Sequence, residues 1–248
     1  MRSFRDELEK NGFEVIYKKI EDDDFEEAYT AKLKTLIKEM NIDSVSIFEI
    51  EDKPFEKKFL SEFKNLEINY LPSPMFLIPR AEFKKYLSKS KKPFMANFYK
   101  LQRKKTGILI DESGKPDGGD WTYDIMNREK YPINKTPPKV KSVLNEKVLL
   151  SKSLEYVKKN YLKNPGDLSG NFNFPTDFQQ SRKWFESFLE ERFKDFGPYE
   201  DSIVKNEIFL NHSLLSPLLN TGLLDVNFVL DRTMVFYNKN NIPLNSCE

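Results

Sequence analysis

Residues 13 to 70 alternate between short apolar runs and amphipathic stretches, whereas from residue 147 onward the apolar residues recur at helical spacing alone. That change of period limits the folds open to this chain. Strands alternating with helices favour a parallel sheet covered by helices, and a helix-only remainder favours a separate helical layer. The pattern predicts helices at Met1–Asn11, at Phe25–Met40 and from Pro54 through Phe63, with strands at Phe13–Tyr17, Val45–Ile50 and Leu66–Tyr70. Arg80–Ser88 and Pro93–Lys105 read as two further helices after the proline-punctuated segment Leu71–Pro79. Beyond Lys147, helices are expected at Ser151–Asn160, at Asp177–Phe196 with Thr176 as cap, and from Asp225 through Phe236 up to the break at Ile242–Pro243. A Gly/Asn/Pro loop occupies residues 164–175.

The chain has 248 residues, which allows one large or two modest domains. Pro132, Pro137, Pro138 and the GKPDGGDW turn chemistry make residues 111–146 an interdomain segment, between a 1–110 α/β domain and a 147–248 helical part. Trp121 and Tyr123 are expected to pin this segment onto a domain. The net charge of +1 carries no global signal for nucleic acid or membrane. There is no apolar run of about 18 residues to span a bilayer, and a secretory leader is not visible at the start. A single cysteine, Cys247, excludes an internal disulfide framework, and one His with one Cys argues against a His/Cys metal site. The expectation is a cytoplasmic monomer.

Charge is uneven locally. Lys84 to Lys105 holds nine Lys or Arg and no acid, with Phe94, Phe98, Tyr99 and Leu101 interleaved. Lys91, Lys92, Arg103, Lys104 and Lys105 are therefore candidate contacts to a phosphate backbone; a solvated basic face over an apolar underside is the alternative. The second feature is HSLLSPLLNTGLL, residues 212–224. Ser213 and Ser216 sit three apart, Pro217 suits a first helical turn, and Gly222 offers a stop. Small hydroxyls and free N–H groups at a helix start suit an anion; plain capping is the alternative.

These residues resemble the flavin-phosphate motif of photolyases and cryptochromes, TSxLSPYLxxGxLS. Ser213, Leu215, Ser216, Pro217 and Gly222 fall on the pattern, while His212 stands where Thr is usual and Asp225 departs from it. Tyr199, in FGPYEDSI, stands near the place of that family's flavin-contacting Tyr. The His-Ser-Leu-Leu-Ser-Pro form is similar to the iron–sulphur bacterial branch. So is the block Pro93–Pro132, in which Phe98, Tyr99, Arg103, Thr106, Gly107, Gly118, Gly119, Trp121, Asp124, Asn127 and Arg128 match and Asp120 replaces an Arg.

The resemblance implies a Rossmann-like α/β domain followed by an incomplete all-helical domain. It also implies an earlier strand before residue 1 and a long helical continuation after 248, carrying the rest of the flavin cavity, the active-site His and the cluster cysteines. Cys247 is not assigned as a cluster ligand. The implied cofactors are FAD, held here by Tyr199, His212, Ser213, Leu214, Leu215 and Ser216; a 6,7-dimethyl-8-ribityllumazine antenna near Phe48, Glu49 and Glu51; and a 4Fe-4S cluster whose ligands lie outside this chain. The acidic residues near the antenna also read as ordinary solvated turn material. The implied partner is damaged DNA and the implied activity light-driven repair of pyrimidine photoproducts, of the (6-4) type. Two other readings stay open: a cryptochrome-type photoreceptor, and a non-catalytic remnant. With the ring's pocket outside it, the chain alone is expected to bind flavin weakly or not at all.

Overall fold

Two strands form the sheet. β1 (Ser44–Phe48) pairs in parallel with β2 (Glu67–Leu71), in the register Ser44 opposite Glu67 and Phe48 opposite Leu71. The crossover between them is α3 (Lys53–Glu62), started by Asp52, whose carboxylate accepts the Phe55 N–H at 2.6 Å, with Pro54 in the first turn. The computed structural model describes residues 1–141, 143, 147–168 and 172–248. These divide into two compact units, Met1–Lys84 and Lys85–Glu248.

The first unit also contains α1 (Arg2–Lys10) and α2 (Tyr29–Glu39). An aromatic ladder runs from Tyr29 through Phe55 and Phe59 to Phe63, with ring centroids 5.9, 6.1 and 4.6 Å apart. Phe59 and Phe63 are buried, each worth about 1.5–3 kcal/mol when fully withdrawn from water. The third expected strand, Phe13–Tyr17, does not form. The Phe13 N–H bonds to the Leu8 carbonyl at the end of α1, and the Arg5 guanidinium lies 5.0 Å from the Tyr17 ring. The segment folds back on its own helix instead of joining the ladder. The expected helix from Phe25 starts only at Tyr29, because the Asp22–Asp24 run makes turns that take the Phe25 and Glu27 N–H groups.

α4 (Arg80–Lys89) carries the boundary between the units, and α5 (Met95–Thr106) follows. The units part at Lys84, not near residue 110, because α5 is tied to the far end of the chain. The Tyr99 hydroxyl donates to Glu248 Oε1 at 2.9 Å, and the Tyr123 N–H to Glu248 Oε2 at 3.1 Å. Asn245 Nδ2 donates to Asn127 Oδ1 at 3.1 Å. Residues 142, 144–146 and 169–171, from the expected interdomain segment and the 164–175 loop, lie outside the described residues.

Helices α6 (Lys147–Asn160), α7 (Phe178–Glu191), α8 (Phe196–Tyr199), α9 (Ser216–Asn220), α10 (Val226–Lys239) and α11 (Leu244–Cys247) complete the chain. Among the described residues from 147 on there is no strand; residues 164–168 and 172–175 are non-helical, as the expected loop, and the helical reading overshot at 161–163, 176–177 and 200–215. α7 is capped by Asp177, not Thr176: its Oδ1 accepts the Gln180 N–H at 2.8 Å. Ser181, Trp184, Phe185, Phe188 and Leu189 share its buried stripe. α7 also stops earlier than expected, although Arg192 and Phe193 stay buried beyond its end. The backbone leaves the helix at Arg192 and takes a 3-10 turn over Phe193–Asp195. Asp225 caps α10 as expected, accepting the Phe228 N–H at 2.8 Å, and a two-pronged Arg232–Glu186 pair, 2.6 Å on each arm, ties α10 to α7.

Candidate functional site

The loop that leads into α9 is anchored by leucines. Leu210, Leu215 and Leu218 are buried, the last two in the cluster built on α7. Between them the backbone is forced into unusual conformations: Leu210 has φ 43° and Leu214 φ 59°. A non-glycine residue in the left-handed region costs about 1–2 kcal/mol, so packing of the leucines holds this loop against its own backbone preference. Ser216 opens α9, Pro217 follows it, and the cap position belongs to Leu215, which has no side-chain capping bond. Neither serine caps the helix. Ser213 is half-buried and Ser216 exposed. With five residues, α9 has little macrodipole, so an anion here depends on hydroxyls and nearby cations.

The nearest cation lies beneath the loop. Arg192 is 1% exposed, and its Nε donates to the His212 carbonyl at 3.3 Å. Its two terminal nitrogens have no hydrogen-bond partner. The closest carboxylate oxygen, Glu191 Oε2, is 3.8 Å from Nη1, and Glu191 is itself paired with Lys141 at 2.7 Å. Burial pushes the guanidinium below its ordinary value. Asn211 is 2% exposed; its Nδ2 makes no hydrogen bond of normal geometry, with the Tyr131 phenol as its one neighbouring acceptor. Buried donors without acceptors are costly, and here they gather behind one loop.

Tyr199 reaches this cluster through neighbours. Its ring packs on Tyr131 at 5.2 Å between centroids, and the Tyr131 phenol stands beside Asn211. Lys135 Nζ sits 4.6 Å from the Tyr199 ring and 2.6 Å from Asp195 Oδ2. A groove of about 780 Å³ opens between Tyr131, Ile133 and Lys135 on one side and Ser202, Ile203 and Lys205 on the other. Tyr199, Ser213 and Ser216 do not line it. Sequence reasoning missed Arg192, Asn211, Tyr131 and Lys135. The one available signal was Arg192 itself, which falls three residues after Leu189 on the apolar stripe of an amphipathic helix.

The basic stretch separates into two roles. Lys91, Lys92, Lys104 and Lys105 are exposed, beside exposed Phe94 and Met95. Arg103 is not available to a phosphate. It is 4% exposed and donates to the carbonyls of Ile108, Leu109 and Trp121. The Pro93–Pro132 motif is thus largely structural. Gly118 belongs to it as well: a Cβ there would lie 2.2 Å from Tyr123 Oη and 2.6 Å from Leu244 Cδ2.

Phe48, Glu49 and Glu51 stand at and just beyond the carboxyl end of β1, as the antenna reading requires, and Glu49 already has a partner. Glu49 Oε2 accepts the Arg80 N–H at 3.2 Å, and the Arg80 guanidinium binds Glu56 and the Ile50 carbonyl. Phe48 is 55% exposed. Glu49 is thus engaged within its own unit, while Phe48 and Glu51 are exposed. Cys247 packs 3.9 Å from Met234 Sδ, and burial pushes its thiol up to about 12. No group of three or more potential metal ligands gathers among the described residues.

The family profile described as deoxyribodipyrimidine photo-lyase-related protein matches residues 1–174. The chain belongs to this family. A (6-4) photolyase of Agrobacterium fabrum (strain C58 / ATCC 33970) is 28% identical over 254 residues, covering 100% of this chain and 49% of that protein. The uncharacterized protein R852 of Acanthamoeba polyphaga mimivirus is 30% identical over 138 residues, 53% of this chain and 67% of that one. This photo-lyase-related chain therefore spans about half the length of the curated photolyase it matches. The matched residues 1–174 stop short of the 212–216 loop, so what suits an anion at that loop is the set of buried donors behind His212.

Proposed function

We propose that this chain supplies the flavin-phosphate loop and part of the DNA-facing surface of a light-driven photoproduct lyase of the (6-4) class. The observation that carries the reading is the 212–216 loop: a photolyase-type motif whose serines cap nothing and whose floor is a buried guanidinium with both terminal nitrogens free of hydrogen bonds. His212, Ser213, Leu214, Leu215 and Ser216 would hold the pyrophosphate, and Tyr199 would lie toward the ring side. When bound, the flavin would absorb light and exchange electrons with the lesion; the protein positions it and tunes its surroundings. A lesion base reaches such a cofactor only by leaving the helical stack, and the exposed lysines would hold the flanking backbone while it does so. The (6-4) class comes from the relative's printed activity and belongs to this proposal.

Two measurements test it. Titration of FAD into the chain extended with the C-terminal half of a photolyase relative, followed by flavin fluorescence, should give the Ser213→Ala/Ser216→Ala variant about tenfold weaker binding, or ~1.4 kcal/mol. Equal affinity would return the serines to the surface. Neutralising Lys91, Lys92, Lys104 and Lys105 should weaken binding of a damaged oligonucleotide. It should also flatten the slope of log K against log salt by up to about 0.9 per lost contact. An unchanged slope would make the stretch a solvated face.

A further inference from the structure

We infer that Arg192 and Asn211 form a buried donor seat under the His212–Leu215 loop that takes one phosphoanion, making both residues direct binding groups for a pyrophosphate. The inference rests on the reading of this loop as a phosphate site and extends that site from the surface hydroxyls into the core.

Three observations support it. The two terminal guanidinium nitrogens are buried donors without a hydrogen-bond acceptor, and Asn211 Nδ2 is a buried donor whose one neighbouring acceptor is the Tyr131 phenol, without a well-formed bond to it. A purely structural arginine at this depth would be expected to saturate its fork, as Arg103 does with three carbonyls in the same unit. Arg192 instead makes its one hydrogen bond through Nε, to the carbonyl of His212, the first residue of the phosphate motif, while its guanidinium lies 5.6 Å from the Phe188 ring centroid. Its charge is incompletely balanced, because the nearest carboxylate belongs mainly to Lys141. What such a seat lacks is an acceptor with negative charge, and a phosphoanion provides both, matched to a planar fork. The loop above is a strained part of the unit, with Leu210 and Leu214 at positive φ. A peptide flip at Leu214 would relieve strain and admit an oxygen to the seat. Surface lysines hold phosphate mainly by salt-screened attraction; a buried fork would bind with little salt dependence.

The decisive variant is Asn211→Asp. It is nearly isosteric and places a carboxylate among the donors, so it occupies the seat with an internal anion. The melting temperature should hold or rise, while affinity for inorganic pyrophosphate, read by calorimetry on the full chain, should fall about tenfold or more. Arg192→Lys, which keeps charge but loses the fork, should lose affinity in the same direction. A wild-type chain that binds no pyrophosphate, or an Asn211→Asp chain that binds it as the wild type does, overturns the proposal.

Two comparisons separate this idea from its foundations. If Ser213→Ala/Ser216→Ala loses pyrophosphate while Asn211→Asp keeps it, the loop reading survives and the seat falls. The reverse pattern keeps the seat and removes the serines from the site. A backbone phosphate of DNA carries the same chemistry, so oligonucleotide affinity is measured alongside. Loss of pyrophosphate and FAD with unchanged oligonucleotide binding assigns the seat to the dinucleotide. Loss of oligonucleotide binding alone would overturn that assignment.

Discussion

Replacing Phe185 with alanine is expected to destabilise the second unit by about 3–5 kcal/mol. Phe185 is fully buried on α7, packed on Phe188 one turn away and on Phe228 of α10 at 6.1 Å. The same cluster takes in Leu215 and Leu218 from the loop and Leu224 after α9. The surrounding groups come from three elements with separate anchors, so they cannot collapse into the space a missing ring leaves, and the cavity cost adds to the lost burial. Domains of this size are stable by about 5–15 kcal/mol, so one ring is a large share. Urea unfolding followed by the fluorescence of Trp184, which lies in the same cluster, should show a lower midpoint at unchanged slope. Ile203→Ala, at a residue 95% exposed, should stay within about 0.5 kcal/mol. A Phe185→Ala loss below about 1 kcal/mol would mean that the cluster is not the core of the unit.

Gly197→Ala should release the last helix. A Cβ at Gly197 would stand 2.6 Å from the Asn245 carbonyl oxygen and 2.7 Å from the Ser246 nitrogen, both backbone atoms that no rotamer change can move. The Gly197 N–H also donates to Ser246 Oγ at 2.9 Å, and that hydroxyl donates to the Lys194 carbonyl at 3.1 Å. The cost is expected near 3 kcal/mol, the upper end for overpacking. Its signature is chemical. With α11 displaced, the Cys247 thiol leaves the buried setting that pushes it up to about 12 and returns toward its ordinary value. The thiolate fraction at mildly alkaline pH then rises, and labelling by a disulfide reagent quickens. The Tyr99 phenol, held near 12 by burial and by Glu248, should titrate earlier for the same reason. Wild-type labelling rates in the variant would show that α11 is not clamped by this contact.

How much of this was legible depends on how local each signal is. The parallel pairing of Ser44–Phe48 with Glu67–Leu71 could be read because apolar runs and a capped crossover helix lie within one short stretch. The Asp225 cap could be read for the same reason. Phe13–Tyr17 looked like a strand because its composition is that of one. Pairing is a property of two segments, and the contact that won was between Arg5 and Tyr17. In the basic run, Arg103 and Lys104 are adjacent and chemically alike, yet one is buried under three carbonyls and the other is in solvent. Only the path of the chain around Trp121 distinguishes them.

The order of residues alone determined the switch from a strand–helix crossover to helices without strands among the described residues, and placed the serine loop after an amphipathic helix. It did so because hydrophobic periodicity and caps act over a few residues. The tertiary structure alone decided that Arg192 turns inward with two donors unmatched, that Tyr199 meets the loop through Tyr131 and Asn211, and that Glu248 closes on Tyr99. Those arrangements join residues from 20 to 149 positions apart. Their energies depend on burial and on which acceptors happen to be near, quantities that have no value until the chain has folded.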